Sequence, residues 1–178
     1  MKSVKEMSLT ELGGYICEHL AKQGIDVVLS GGSVVEIYSS GKYVSCDMDF
    51  INRYNEQRKK IVRAMALIGF TEERKYFLHP ESKYFIEFPP GPVGVGDELV
   101  KMISEISTPL GRLKIISPTD SVKDRLAAYY HWNDLQSLEQ AVLVAADNSI
   151  DLDDIRKWSE KEGMGDKYQN FLARLNAH

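Results

Sequence analysis

Two hydrophobic periods alternate along the first two thirds of the chain, and one of them takes over the last third. Leu12, Ile16 and Leu20, with Tyr15 beside them, recur at helical spacing behind Ser8 and Glu11, which have capping-box spacing; Gly24 stops this helix. Residues 25–29 form a β-branched apolar run of strand length. The turn Ser30-Gly31-Gly32-Ser33 follows, then a short helix over 34–39 and a strand over 43–51. A helix over 55–68 puts Ile61, Met65 and Ile68 on one face, and Gly69 ends it. Strands over 70–78 and 83–88 read as a hairpin around His79-Pro80-Glu81-Ser82. The proline- and glycine-rich run 89–96 excludes regular helix and disfavours a central strand. It stands at the rim of whatever precedes it, as a binding loop or as a connector. A short helix over 98–103, with Asp97 and Glu98 as its N-terminal acids, and a strand over 112–116 close this part.

From Ser117-Pro118-Thr119-Asp120 onward the period is helical throughout, over 121–130, 134–147, 152–162 and 166–175. Asp151 caps the third of these helices, and Gly163-Met164-Gly165 breaks the chain before the fourth. Trp132 and Trp158 are expected to bury in the resulting bundle, with stacking of a base as the weaker alternative. The order of elements predicts an α+β fold: a mixed α/β sheet flanked by helices over residues 1–116, and a C-terminal helical bundle over 117–178 packed on it.

Composition narrows this little. The apolar fraction of 43% allows a core, and 178 residues suit one domain with a helical extension. A net charge of −4 supplies no general basic field for coating nucleic acid, though it allows action on an RNA end. Two cysteines, Cys17 and Cys46, are too few for a disulfide scaffold or a structural zinc site, and Cys46 is expected to be a buried thiol. The first residues lack a signal-peptide run, and no stretch reaches membrane-spanning length, so a cytoplasmic protein is expected. The four histidines are scattered, and His19 reads as a surface residue.

The chemistry concentrates between residues 30 and 50. Asp47 and Asp49 stand two apart on a strand, so they share a face, about 6.6 Å apart by strand rise, while Met48 and Phe50 face the other way. The competing explanation is a solvated strand face. But Asp is depleted in strands, and two on one face repel unless a cation lies between them. The helix start after Gly31, Gly32 and Ser33 offers backbone N–H groups to an anion. Together these features describe a site for a phosphate and magnesium.

A glycine turn at a helix start, followed by an acidic–any–acidic triplet on the next strand, resembles the nucleotidyltransferase superfamily that includes polymerase β and the minimal nucleotidyltransferases. Gly31, Gly32 and Ser33 match the first part, and Asp47 and Asp49 the second. The resemblance implies a third carboxylate on a later strand; Glu87 fits by position, with Asp97 and Glu98 as rivals and an exposed edge-strand role as the alternative. The run IEFPPGPVGVGDE is similar to a segment of an uncharacterised bacterial nucleotidyltransferase family. The segment SPTDSVKDRLAAYYHWNDLQSLEQA is similar to the helices after the catalytic sheet of toxin-type nucleotidyltransferases. It offers Lys123 and Arg125 to a triphosphate and Asp134 as a matching acid, although His131-Trp132-Asn133 replaces the usual basic residue before that acid. For Lys123 a solvated helix face is the equal alternative.

The resemblance implies an enzyme that uses Mg2+ or Mn2+, held by Asp47, Asp49 and Glu87, to transfer a nucleoside monophosphate from an NTP such as ATP. The acceptor would be a hydroxyl on a protein, an RNA end or a small molecule. Gly31, Gly32, Ser33 and Lys123 would bind the nucleotide. The alternative is a non-catalytic or regulatory partner of the same fold in a bacterial toxin–antitoxin-like system, with a partner protein encoded nearby. A phosphodiesterase is weaker, since no His–Asp ligand pairing is present.

Overall fold

The structure is a computed structural model and describes residues 2–178. The first helix, α1 (Leu9–Lys22), starts as expected: Ser8 accepts from the Glu11 N–H, and Glu11 reaches back to the Ser8 N–H at 2.8 Å. Strand β1 (Val27–Ser30) leads through Gly31 into α2 (Gly32–Tyr38), and β2 (Asp47–Asn52) returns antiparallel to β1. Helix α3 (Arg58–Ala66) follows, then β3 (Thr71–Glu73), β4 (Tyr76–Leu78) and β5 (Phe85–Glu87). A two-stranded ribbon, β6 (Gly94–Val95) and β7 (Glu98–Leu99), precedes the long hairpin of β8 (Ile103–Thr108) and β9 (Gly111–Ile116). Helices α4 (Pro118–Trp132), α5 (Leu135–Asp147), α6 (Leu152–Lys161) and α7 (Gly165–Ala177) complete the chain.

The main sheet has seven strands in the order β3-β4-β5-β2-β1-β9-β8. It is mixed: β2–β5 and β1–β9 are parallel, and the other pairs are antiparallel. The expected mixed sheet flanked by helices, followed by helices alone, is therefore present. The β4–β5 hairpin is also present, with Phe77 opposite Ile86. One core lies between the sheet and its covering helices, around Leu12, Ile16, Leu29, Phe50, Met65, Phe77 and Ile115. A second is built by Leu126, Leu138, Val144, Ile155, Trp158 and Phe171 of the C-terminal helices, and it takes in Val35 of α2 and Val95 of β6. Helix α1 lies almost in contact with the β8–β9 hairpin. A Cβ on Gly14 would come within 2.8 Å of the Gly111 carbonyl oxygen, so both glycines are required by close approach.

Several local expectations fail for identifiable reasons. The run 70–78 folds back on itself as β3 and β4, with Arg74 in the left-handed region at φ +59° where the chain turns. No helix covers 98–103: the segment is β7 and the start of β8, and Ile103, Ile106 and Thr108 pair with β9 around a turn at Pro109-Leu110. Residues with β-branched side chains gain more from that pairing than from an isolated helical turn. Cys46 is exposed, because β2 begins only at Asp47, whereas Cys17 is buried. His19 is half-buried, with Nε2 2.8 Å from the Ala64 carbonyl oxygen of α3. Trp158 is buried at 1% exposure, but Trp132 is 82% exposed at the end of α4.

Candidate active site

β1 and β9 run parallel, so their C-terminal ends lie at one edge of the sheet. The first strand leaves that edge at Gly31 and the other at Ser117. The antiparallel β2 enters there, with Ser30 opposite Asp49. Three chain segments rich in polar groups therefore meet at one sheet edge.

β2 alternates as its sequence requires: Met48, Phe50 and Asn52 are buried, and Asp47, Asp49 and Ile51 are half-buried on the other face. Asp47 is directly opposite Phe85 and Asp49 directly opposite Glu87 in the parallel β2–β5 pair. Paired residues of neighbouring strands project to the same side, so Glu87 shares the face of both aspartates. Burial pushes the Asp49 carboxyl up to about 6, and the charges of Asp47 and then Glu87 add to the shift. Arg125 opposes the shift and Asp124 adds to it, so the middle of α4 lies near enough for its charges to act on Asp49.

Each carboxylate has its own setting. Ser45, buried, donates from Oγ to the Asp47 carbonyl oxygen and to Oδ1, both at 3.0 Å, and its N–H donates to Glu36 Oε2 at 2.7 Å. Asp49 lies over Gly31, where a Cβ would stand 2.5 Å from Asp49 Oδ2. Gly31 has φ +74° and ψ −154°, a combination open in practice only to glycine. Glu87 is turned toward the β3–β4 turn and pairs with Lys75 Nζ at 3.0 Å.

Oxygen donors on one face suit a hard divalent cation such as Mg2+ or Mn2+. Burial raises Asp49 most, and such a cation would relieve the smaller part that comes from repulsion by Asp47 and Glu87. Among the described residues, however, no three acidic, histidine or cysteine side chains are gathered closely enough to hold a metal ion. Asp47 and Asp49 fit a cation bound between them. Glu87 fits only on exchanging Lys75, whose side chain is itself mostly exposed.

The residues expected to meet the nucleotide divide. Gly31 and Gly32 are at the site. Gly32 packs so near the Tyr43 ring and Ser45 Oγ that a Cβ would stand 3.1 Å from the latter. The first N–H groups of α2 have no acceptor within the helix. Ser33 is fully buried and its hydroxyl donates back to the Ser30 carbonyl oxygen at 3.3 Å, so of the three turn residues only half-buried Gly32 is open to a ligand. Lys123 does not reach the site. Its side chain, 5% exposed, pairs with Asp154 of α6 at 2.5 Å and Glu98 of β7 at 3.6 Å. Glu98 is thereby engaged elsewhere, and Asp97 is exposed in the ribbon turn. Arg125 is the cation on the site side. It is held by Asp124 and by Gln140 Oε1 at 3.2 Å. The hydrogen bond from the Ser137 hydroxyl holds the carboxyl of Asp134, the cap of α5, below its ordinary value, and the charge of Arg125 adds only a small part.

Three residues of this arrangement escape sequence reading: Ser45, Lys75 and Asp124. Ser45 carried a faint signal, a hydroxyl two residues before an acid at a strand start. Lys75 and Asp124 carried none.

No protein-family model matches the chain, and none of the curated protein sequences does. Solved structures do. The chain is similar to the antibiotic-resistance factor ANT(2″)-Ia, with a TM-score of 0.53 and 13% identity, over 96% of this chain and 95% of that one. It is also similar to an antigenic nucleotidyltransferase-like protein from Paracoccidioides brasiliensis, with a TM-score of 0.53 and 13% identity, over 77% of this chain and 76% of that one. The fold is thus a nucleotidyltransferase fold, covering the sheet and the helices that follow it.

Proposed function

We propose that the protein is a metal-dependent nucleotidyltransferase that moves a nucleoside monophosphate from an NTP to a hydroxyl acceptor. The observation that carries the reading is the juxtaposition of Gly31 with Asp49: a glycine-only backbone under a carboxylate, in the nucleotidyltransferase fold, at the edge where α2 begins. A divalent cation bound here would offset the negative charge of the triphosphate and lower the pKa of the attacking hydroxyl. Asp47, oriented by Ser45, and Asp49, seated on Gly31, are the side chains that would hold it, with Glu87 joining after release from Lys75. The backbone N–H of Gly32 would receive a phosphate oxygen at the start of α2. Arg125, fixed by Asp124 and Gln140, would meet the charge that develops on the phosphoryl oxygens. The hydroxyl attacks the α-phosphorus in line, pyrophosphate leaves, and a carboxylate of the pair takes the hydroxyl proton. The chain's contribution is mostly positioning and charge stabilisation.

The acceptor is a protein hydroxyl, an RNA end or a small molecule, and one experiment separates these from each other and from inactivity. The purified protein is incubated with Mg2+ and each labelled NTP in turn, alone, with host RNA, or with an aminoglycoside; released pyrophosphate and the labelled product are read. Label appearing with one acceptor class identifies it. No pyrophosphate with any combination, in Mg2+ or Mn2+, overturns the enzymatic reading. The Lys75–Glu87 pair and the absence of a gathered triad then favour the second reading, a fold-retaining regulatory partner of a toxin–antitoxin-like system.

A further inference from the structure

The helix whose charges act on Asp49 carries an exposed apolar group with no structural task. α4 starts at the sheet edge where Gly31 and Ser117 lie side by side, and it runs away from that edge. Val122, Leu126, Tyr129 and Tyr130 turn into the bundle core, while Asp124, Arg125, Ala128 and Trp132 do not. Arg125 and Trp132 are seven residues apart, so they stand within about 20° of one another around the helix and about 10 Å apart along it. Trp132 is 82% exposed, and Leu135, just past the turn at Asn133, is 56% exposed. Every other aromatic residue on the C-terminal helices is buried: Tyr129, Tyr130, Trp158, Tyr168 and Phe171.

We infer that Trp132 is the platform on which the base of the NTP stacks, with Leu135 extending its apolar edge. This inference rests on the nucleotidyltransferase reading above. With the phosphates between Asp49 and Arg125, a ribose and its base reach along α4 in the direction of Trp132. An indole face stacks on any base. Trp132 therefore sets affinity for the nucleoside part without choosing among the four bases. It acts as a binding residue, away from the reacting atoms.

The test uses the full chain and its own fluorescence, since Trp158 is buried and only Trp132 meets solvent. ATP, GTP, CTP and UTP, and inorganic tripolyphosphate as a base-free probe, are titrated with Mg2+ into the wild type, Trp132→Ala and Trp132→Phe, by fluorescence and calorimetry. All four NTPs are expected to quench the wild type, and tripolyphosphate to bind without quenching. Trp132→Ala should weaken NTP binding about 5- to 100-fold, leave tripolyphosphate binding and the melting temperature unchanged, and be largely rescued by Trp132→Phe. Equal NTP affinity in the wild type and Trp132→Ala overturns the inference and spares the nucleotidyltransferase reading. Quenching by an acceptor alone, with NTP affinity unchanged, assigns the platform to the acceptor and overturns it too. If neither tripolyphosphate nor any NTP binds the wild type, both fall.

Discussion

Asp49 and Glu87 are direct partners in the parallel β2–β5 pair, yet Glu87 is paired with Lys75 at 3.0 Å. Glu87→Gln is nearly isosteric and should keep the fold. It should lower turnover at least tenfold if Glu87 completes the metal site, while metal-free stability holds or rises as crowding of carboxylates is relieved. Thermal melts without metal and pyrophosphate release with it form the paired measurement. Unchanged turnover in Glu87→Gln alongside an inactive Asp47→Asn would remove Glu87 from the site.

Gly31→Ala is expected to be damaging on two counts. The backbone conformation at φ +74° and ψ −154° costs an alanine about 1–3 kcal/mol, and the new methyl would stand 2.5 Å from Asp49 Oδ2. Melting temperature should fall, and activity should fall further than the melt alone explains, because Asp49 is displaced. A variant with normal stability and normal turnover would contradict the described contact.

Asp49 also gives a pH dependence whose sign is unusual for a carboxylate. Its folded value of about 6 lies above the ordinary value of 3.8, so the native state binds more protons than the unfolded chain between these pH values. The stability contributed by the protonated form is complete below about pH 4 and is lost as pH rises through 6. In EDTA, Asp49→Asn should therefore be more stable than the wild type at pH 7–8, by at most about 3 kcal/mol, with the difference vanishing toward pH 4. Denaturant melts of both proteins across that range provide the check. An Asn variant less stable at pH 8 would show that Asp49 is held by favourable contacts rather than crowded.

Lys123 and Arg125 should separate in NTP binding. Lys123→Met leaves Asp154 without its cation, while Glu98 keeps Lys161, and should cost about 2 kcal/mol, with NTP affinity unchanged. Arg125→Ala leaves the buried Gln140 Oε1 without its donor and should cost about 1–2 kcal/mol, but unlike Lys123→Met it should also weaken NTP binding about tenfold, the loss of one charge-assisted contact of roughly 1.4 kcal/mol. The reverse pattern in calorimetry would return Lys123 to the nucleotide.

The sequence by itself determined what depends on neighbours along the chain. The Ser8–Glu11 cap, the Asp151 and Ser117 helix starts, the common face of Asp47 and Asp49, and the glycine turn at 31–32 all follow from backbone geometry within a few residues. The tertiary structure decided everything that depends on which surface meets which. Lys123 and Arg125 are two residues apart on one helix, so about 200° separates them, and only the packing of α4 on α6 and β7 turns the lysine inward and leaves the arginine at the site. The same holds for 98–103, where strand pairing in β7 and at the start of β8 outweighs a local helical pattern, and for Trp132, which a helical period alone could not place outside the core. Period and caps are local energies of a few tenths to one kilocalorie. Strand partners and helix faces are chosen by burying whole cores, a larger quantity that no short stretch of sequence contains.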